Sequence, residues 1–188
     1  MHRWTAVIQI VGLLGCSAVT SAANAETIPA GYVQVASRYD IPPVLLYAVA
    51  LTESGQSSFS DGRFRPWPWA LNIDGEGHYF SSRQLAWHAL QAALTEDSSV
   101  DVGLMQISWR YHRANLGSSW QALDPYHNLR VAAAILRACF VEHTYWIQSA
   151  GCYHAPNDPV RADRYGQRVK ARWMRLTDTP TEVHLEYP

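Results

Sequence analysis

Pro42-Pro43-Val44-Leu45-Leu46-Tyr47-Ala48-Val49-Ala50-Leu51-Thr52-Glu53-Ser54-Gly55 is the stretch on which the reading of this chain turns. Prolines are tolerated in a first helical turn, an unbroken apolar run follows, and Gly55 suits a helix stop, so the run predicts one buried helix. Glu53 then sits at the C-terminal end of that helix. Apolar neighbours and the negative helix pole both favour the uncharged carboxyl there, the form a general acid needs near neutral pH. Taken alone, the helix favours a plainer reading, an exposed helix-end glutamate. The rest of the chain reverses that.

At 188 residues the chain is long enough for one domain with a proper core and too short for two. A formal net charge of -1 argues against nucleic acid as the main partner. Eight tryptophans and ten tyrosines suit either a core or a groove that stacks on flat faces such as sugar rings.

The N-terminus carries His2 and Arg3, then an apolar stretch over residues 4–14, then small residues ending Ala23-Asn24-Ala25. This is the order of a secretory signal, so residues 1–25 are expected to be a signal peptide and the protein periplasmic. The apolar stretch is short for a membrane span. Leu13-Leu14-Gly15-Cys16 loosely resembles a lipoprotein signal, but leucine directly before the glycine is atypical, and cleavage after Ala25 is preferred. Export would leave Cys139 and Cys152 as the only cysteine pair in an oxidising compartment, and a disulfide is the simplest accounting. No third ligand at a sensible spacing supports a metal, and no cofactor is expected.

No repeat or linker divides the remainder, so residues 26–176 read as one domain and residues 177–188 as a disordered C-terminal tail. Residues 30–39 have the apolar spacing of an amphipathic helix, with Asp40 placed to cap the next one. After Gly55 comes a polar and aromatic stretch in which Arg65-Pro66-Trp67-Pro68-Trp69 precedes Asp74-Gly75, a hairpin turn signal. A small β-hairpin is expected there, with Trp67 and Trp69 as either a sugar-stacking wall or a lid on the core. Residues 81–94 return to helix, with Leu85, Ala89, Ala92 and Ala93 on one side.

Val100-Asp101-Val102-Gly103-Leu104-Met105-Gln106-Ile107-Ser108 places a glycine and one amide in a tight apolar run, which suggests backbone packed closely against a site. Gln106 offers the donors and the acceptor that an acetamido group requires. Asp124-Pro125 opens a helix expected at the centre of the bundle, and a short helix from about His143 leads to Tyr153-His154-Ala155-Pro156. The last helix, residues 159–176, separates into a packing stripe of Tyr165, Val169, Trp173 and Leu176 and a stripe of Arg161, Arg164, Arg168, Arg172 and Arg175.

Glu53-Ser54 at a helix end, Gly103-Leu104-Met105-Gln106-Ile107, and Tyr153-His154-Ala155 after a central helix occur in the order seen in the goose-lysozyme-like lytic transglycosylases, and the chain resembles that family from about Pro29 to Ala155. The resemblance implies a mainly α, lysozyme-like helical domain with a small β-hairpin. It also implies cleavage of the bond between N-acetylmuramic acid and N-acetylglucosamine in peptidoglycan glycan strands. Glu53 would then protonate the glycosidic oxygen and afterwards act as base on the muramic acid's own C6 hydroxyl, closing a 1,6-anhydro ring without water. Ser54, Met105, Gln106 and Tyr153 carry over as groove residues, with Tyr153 expected to hydrogen-bond the Glu53 carboxyl. Where the family commonly has asparagine, and later glycine, this chain has His154 and Pro156. Histidine still donates a hydrogen bond, so altered substrate contacts are expected at His154; the alternatives are a ring that titrates near neutrality and tunes the site, and a histidine that only packs. The Pro-Trp-Pro-Trp stretch resembles members from integrating conjugative elements, which implies a conjugation or type IV secretion-like machine as partner. The alternatives are a hydrolytic muramidase, with Asp101 or Asp74 as second carboxylate, and a peptidoglycan-binding assembly factor with weak or no activity.

Overall fold

The computed structural model describes residues 27–58 and 61–178. In chain order the elements are α1 (Ala30–Arg38), α2 (Pro43–Ser54), β1 (Gly55–Ser57), β2 (Phe64–Pro66), β3 (Ala70–Ile73), β4 (Glu76–Tyr79), α3 (Arg83–Thr95), β5 (Val100–Val102), β6 (Ile107–Ser108), α4 (Trp109–Leu116), α5 (Ser119–Ala122), α6 (Pro125–His143), α7 (Trp146–His154) and α8 (Pro159–Asp178). The domain is mainly helical with a small antiparallel sheet, as the sequence predicts.

α2 forms where the sequence places it. Leu45, Leu46, Ala48, Val49 and Ala50 are fully buried on different sides of the helix, so it runs through the core instead of over it. It packs against α1, α8 and β2. Burial of each leucine contributes about 2 kcal/mol, and no polar face competes for solvent. Gly55 follows its last turn, and a side chain there would collide with the Leu51 carbonyl, 2.3 Å from an ideal Cβ, and with the Phe64 ring. Asp40 does not cap α2. It occupies a left-handed turn at φ 49°, Pro42 takes the N-cap position, and the exposed Asp40 carboxylate pairs with Arg137 at 3.8 Å.

The predicted hairpin is β3–β4, and its Asp74-Gly75 turn has positive φ at both residues, as a tight two-residue hairpin demands. It belongs to a larger sheet of order β4-β3-β5-β6, because the Gly103 motif contributes two short strands joined by a tight turn. A separate pair, β1–β2, brings Gly55 opposite Pro66.

α3 starts at the expected cap, with the Ser82 hydroxyl accepting from the Leu85 amide. Its buried face is Ala86, Leu90 and Ala93, one residue round from the predicted stripe, and Leu85 is exposed. α4 and α5, for which the sequence analysis makes no assignment, link the sheet to α6. α5 carries a capping box between Ser118 and Gln121. α6 begins at Pro125 with Asp124 accepting from the His127 amide. α7 begins at Trp146, later than expected, after a left-handed Thr144 closes α6. The Cys139–Cys152 disulfide then ties α6 to α7. α8 buries Tyr165, Val169 and Leu176 as predicted and runs to Asp178, past the expected start of the tail. Residues 1–25 with Cys16, and the tail beyond Asp178, lie outside the described residues. No described helix is long and apolar enough to cross a membrane.

Candidate active site

Glu53 stands one residue from the end of α2, with only 10% of its side chain exposed. Around it are residues from three other elements, and the chain's topology explains how they meet. α8 packs along α2 and along α7, so the buried Tyr165 and the C-terminal end of α7 arrive at the same helix end. His154 from α7 places Nδ1 3.8 Å from Glu53 Oε1. Its ring lies flat against Tyr165, with centroids 4.3 Å apart and planes at 7°.

Tyr165 was predicted only to pack. Its buried hydroxyl makes no hydrogen bond at ordinary geometry, and burial, followed by the charge of Glu53, pushes the phenol well above the usual tyrosine range. Nothing in the helix pattern hints at this, because a tyrosine on an apolar helix stripe is ordinarily core.

The second motif forms the floor. Gly103 (φ 79°) and Gln106 (φ 46°) bracket the turn between β5 and β6. A side chain at Gly103 would meet Asn128 Nδ2 at 2.8 Å, so glycine is required by both backbone and neighbour. Asn128, fully buried on α6, holds this turn. Its Oδ1 accepts from the Met105 amide at 2.8 Å, and its Nδ2 donates to the Val102 and Ala122 carbonyls at 2.9 and 3.1 Å. Asn128 was not singled out from sequence, where it lies in a mixed first turn between His127 and Leu129.

The expected groove residues divide. Gln106 is partly exposed, and its side-chain nitrogen donates to Gly103 O at 2.8 Å and Ala70 O at 3.3 Å, so its donors are committed to the backbone. Met105 is fully buried. Ser54 is also buried, its hydroxyl donating to Leu104 O at 2.6 Å and accepting from the Trp67 amide at 3.1 Å. These two side chains therefore support the site from beneath, in place of the direct contact expected of them. Tyr153 donates its hydroxyl proton to Met105 O at 2.7 Å, not to Glu53, which corrects the expected bond. Burial first, and then the charges of Glu53 and Asp101, push its phenol well above the usual range.

Asp101 alternates with the buried Val100 and Val102 and so projects from the opposite face of β5, in register with Asn72 on β3 and Ser108 on β6. Its carboxyl is raised above the usual carboxylate range by burial and next by Glu53, against lowering by His154 and a Ser108 hydrogen bond. Asp74, the other proposed second carboxylate, sits exposed at the hairpin turn. There it accepts from the Ser99 amide at 2.8 Å, and that bond lowers its carboxyl below the usual range.

Trp67 donates Nε1–H to Phe80 O at 2.7 Å, and Trp69 packs on the core, so both brace the sheet beside α2. A cavity of about 670 Å³ lies between α7 and α8 against Trp146, Pro156 and Trp173, and a smaller one adjoins Tyr32, Tyr47 and Tyr126. Neither is lined by Glu53, and the site is defined by its chemistry instead of by cavity size. Among the described residues, Glu142, His143 and Cys152 offer ligand atoms within 4.8 Å of one another, but the Cys152 sulfur is committed to the disulfide.

The family model described as a transglycosylase SLT domain matches residues 32–175. No curated protein and no solved structure matches the chain.

Proposed function

The chain belongs to the transglycosylase SLT family, whose members are lytic transglycosylases acting on peptidoglycan, and from that premise we propose that it cleaves the MurNAc-GlcNAc β-1,4 bond to leave 1,6-anhydro-MurNAc ends. The observation that carries this reading is the enclosed carboxyl of Glu53, flanked by phenols and an imidazole at a helix C-terminus. Glu53 donates its proton to the glycosidic oxygen as the C1–O bond breaks and an oxocarbenium-like centre develops. The carboxylate then takes the proton of the C6 hydroxyl as O6 bonds to C1. The nucleophile is tethered within the substrate, so no second acid is required to position water. Gln106, Tyr153 and His154 form the substrate-facing side, with Ser54 and Met105 beneath.

A second reading, hydrolysis, is favoured by one observation: Asp101 lies near enough to Glu53 for the two charges to interact. Water held by Asp101 would then replace the C6 hydroxyl. Action outside the cytoplasm, on the wall where an envelope-spanning conjugation or secretion machine assembles, fits the leader-like N-terminus and the Pro-Trp-Pro-Trp stretch.

The test is mass spectrometry of muropeptides released from purified sacculi. The expected products end in 1,6-anhydromuramic acid, and Glu53→Gln lowers their release by about 1000-fold or more. Reducing ends would establish the hydrolase. Binding of sacculi without release by the wild-type protein would leave the wall-binding assembly factor.

A further inference from the structure

We infer that His154 is the charge partner of Glu53: an imidazole fixed in place by Tyr165, whose protonation sets how readily the Glu53 carboxyl gives up and retakes its proton. This deepens the reading of Glu53 as the proton-transferring acid and rests on it.

The geometry is specific. At 3.8 Å, Nδ1 is beyond hydrogen-bond reach of Oε1 but within ion-pair distance, so the ring acts on the carboxyl through its charge. The flat stack on the buried Tyr165 fixes the ring plane and therefore the position of its charge. Glu53 is enclosed enough that bulk water screens this interaction less than at the surface.

The groups gathered about the ring are Glu53 from α2, Asp101 from β5, Tyr153 from α7, and Tyr165 and, beyond it, Arg168 from α8. Arg168 lies over the Tyr165 ring at 5.3 Å. Asp101 responds to both partners, raised by the charge of Glu53 and lowered by that of His154. Two acids and one base thus form a single electrostatic cluster.

The sign of the effect follows. An imidazolium beside Glu53 favours the carboxylate and hinders donation to the glycosidic oxygen, whereas a neutral ring leaves the acid free to donate. In the reaction itself the proton passes from Glu53 to the leaving oxygen and returns from the C6 hydroxyl. His154 exchanges protons with solvent only, and acidification that charges the ring restrains the enzyme. His154 is a positioning residue in this scheme, acting through Glu53.

The experiment compares pH profiles of muropeptide release from sacculi for the wild-type chain, His154→Phe and His154→Asn. Phenylalanine keeps an aromatic face for Tyr165 without charge, and asparagine keeps a donor without charge. In both variants the ratio of the rate at about pH 5 to that at about pH 7.5 is expected to exceed the wild-type ratio by about threefold or more. Profiles that superimpose on wild type after scaling would reduce His154 to packing. A wild-type protein that releases nothing at any pH overturns the lyase reading instead. In that case the Asp101 carboxyl, followed by carbon NMR, tests the cluster independently. It is expected to titrate higher in His154→Phe and lower in Glu53→Gln, and an unmoved Asp101 in both would overturn the inference.

Discussion

Asp101 is held at a cost that can be measured. Its carboxyl is raised in the folded protein, chiefly by burial, so the folded state binds its proton more tightly than the unfolded chain. Folding is therefore penalised once pH rises above the ordinary carboxylate range, and the penalty is absent when both states are protonated. Asp101→Asn is expected to raise the melting temperature near neutral pH and to leave it unchanged below about pH 3, read by calorimetry across that range. An increase of the same size at both ends would show that the gain is unrelated to charge. At this scale the sequence was partly legible. Glu53 and Gln106 were legible only together, as ordered motifs, since the apolar helix and the glycine-led run each have a plainer reading alone. Tyr165 and Asn128 were not, because each acts across a long sequence separation, from α8 onto α2 and from α6 onto the Gly103 turn. Ser54 and Met105 were misjudged in direction, since a motif gives neighbours in sequence and not which way each side chain points.

α7 is the element on which the site depends most. It is a nine-residue helix with no side-chain cap at its start, and its last two residues are Tyr153 and His154. Such a helix is marginal alone, and tertiary ties hold it. Gly151 lets it approach α8, where a Cβ would fall 2.7 Å from Ala162 O, Phe140 stacks on Trp146 at 3.8 Å, and the disulfide anchors Cys152 to α6. Reduction of Cys139–Cys152, or the pair of substitutions to serine, is expected to cost about 3 kcal/mol in denaturant unfolding. Hydrogen exchange should rise first in α7, and activity should fall before global unfolding begins. Uniform loosening of all helices would place the bond's effect in the unfolded chain alone. Helices with both a cap and an apolar period, α3 and α6, were legible, and α2 was legible through its unbroken apolar run behind two prolines. α4 and α5 were not, since α4 is kinked at His112 and α5 is four residues long, and neither sustains a period.

For the whole molecule, one core joins the parts. A single buried cluster draws Tyr32 from α1, Leu46 from α2, Leu71 from β3, Leu90 from α3, Val102 from β5, Leu136 from α6 and Tyr165 from α8. The sheet and the helices therefore share their buried surface, and neither retains a core without the other. Far-ultraviolet and near-ultraviolet circular dichroism are expected to report one coincident unfolding transition, and separated midpoints would mean that the sheet region melts by itself. The helical class was legible because its longest segments carry strong periods. The sheet's full extent was not, since β5 and β6 are three and two residues long and are defined by their partners.

The enclosure of α2 also bears on control. Glu53 is mounted on a helix buried on every side, so withdrawing the acid would require opening the core itself. On the proposed reading, an acid mounted this way is not withdrawn by a local hinge of its own helix. Restraint on wall damage would then fall to delivery and to occlusion of the glycan path by another protein, not to motion of the acid.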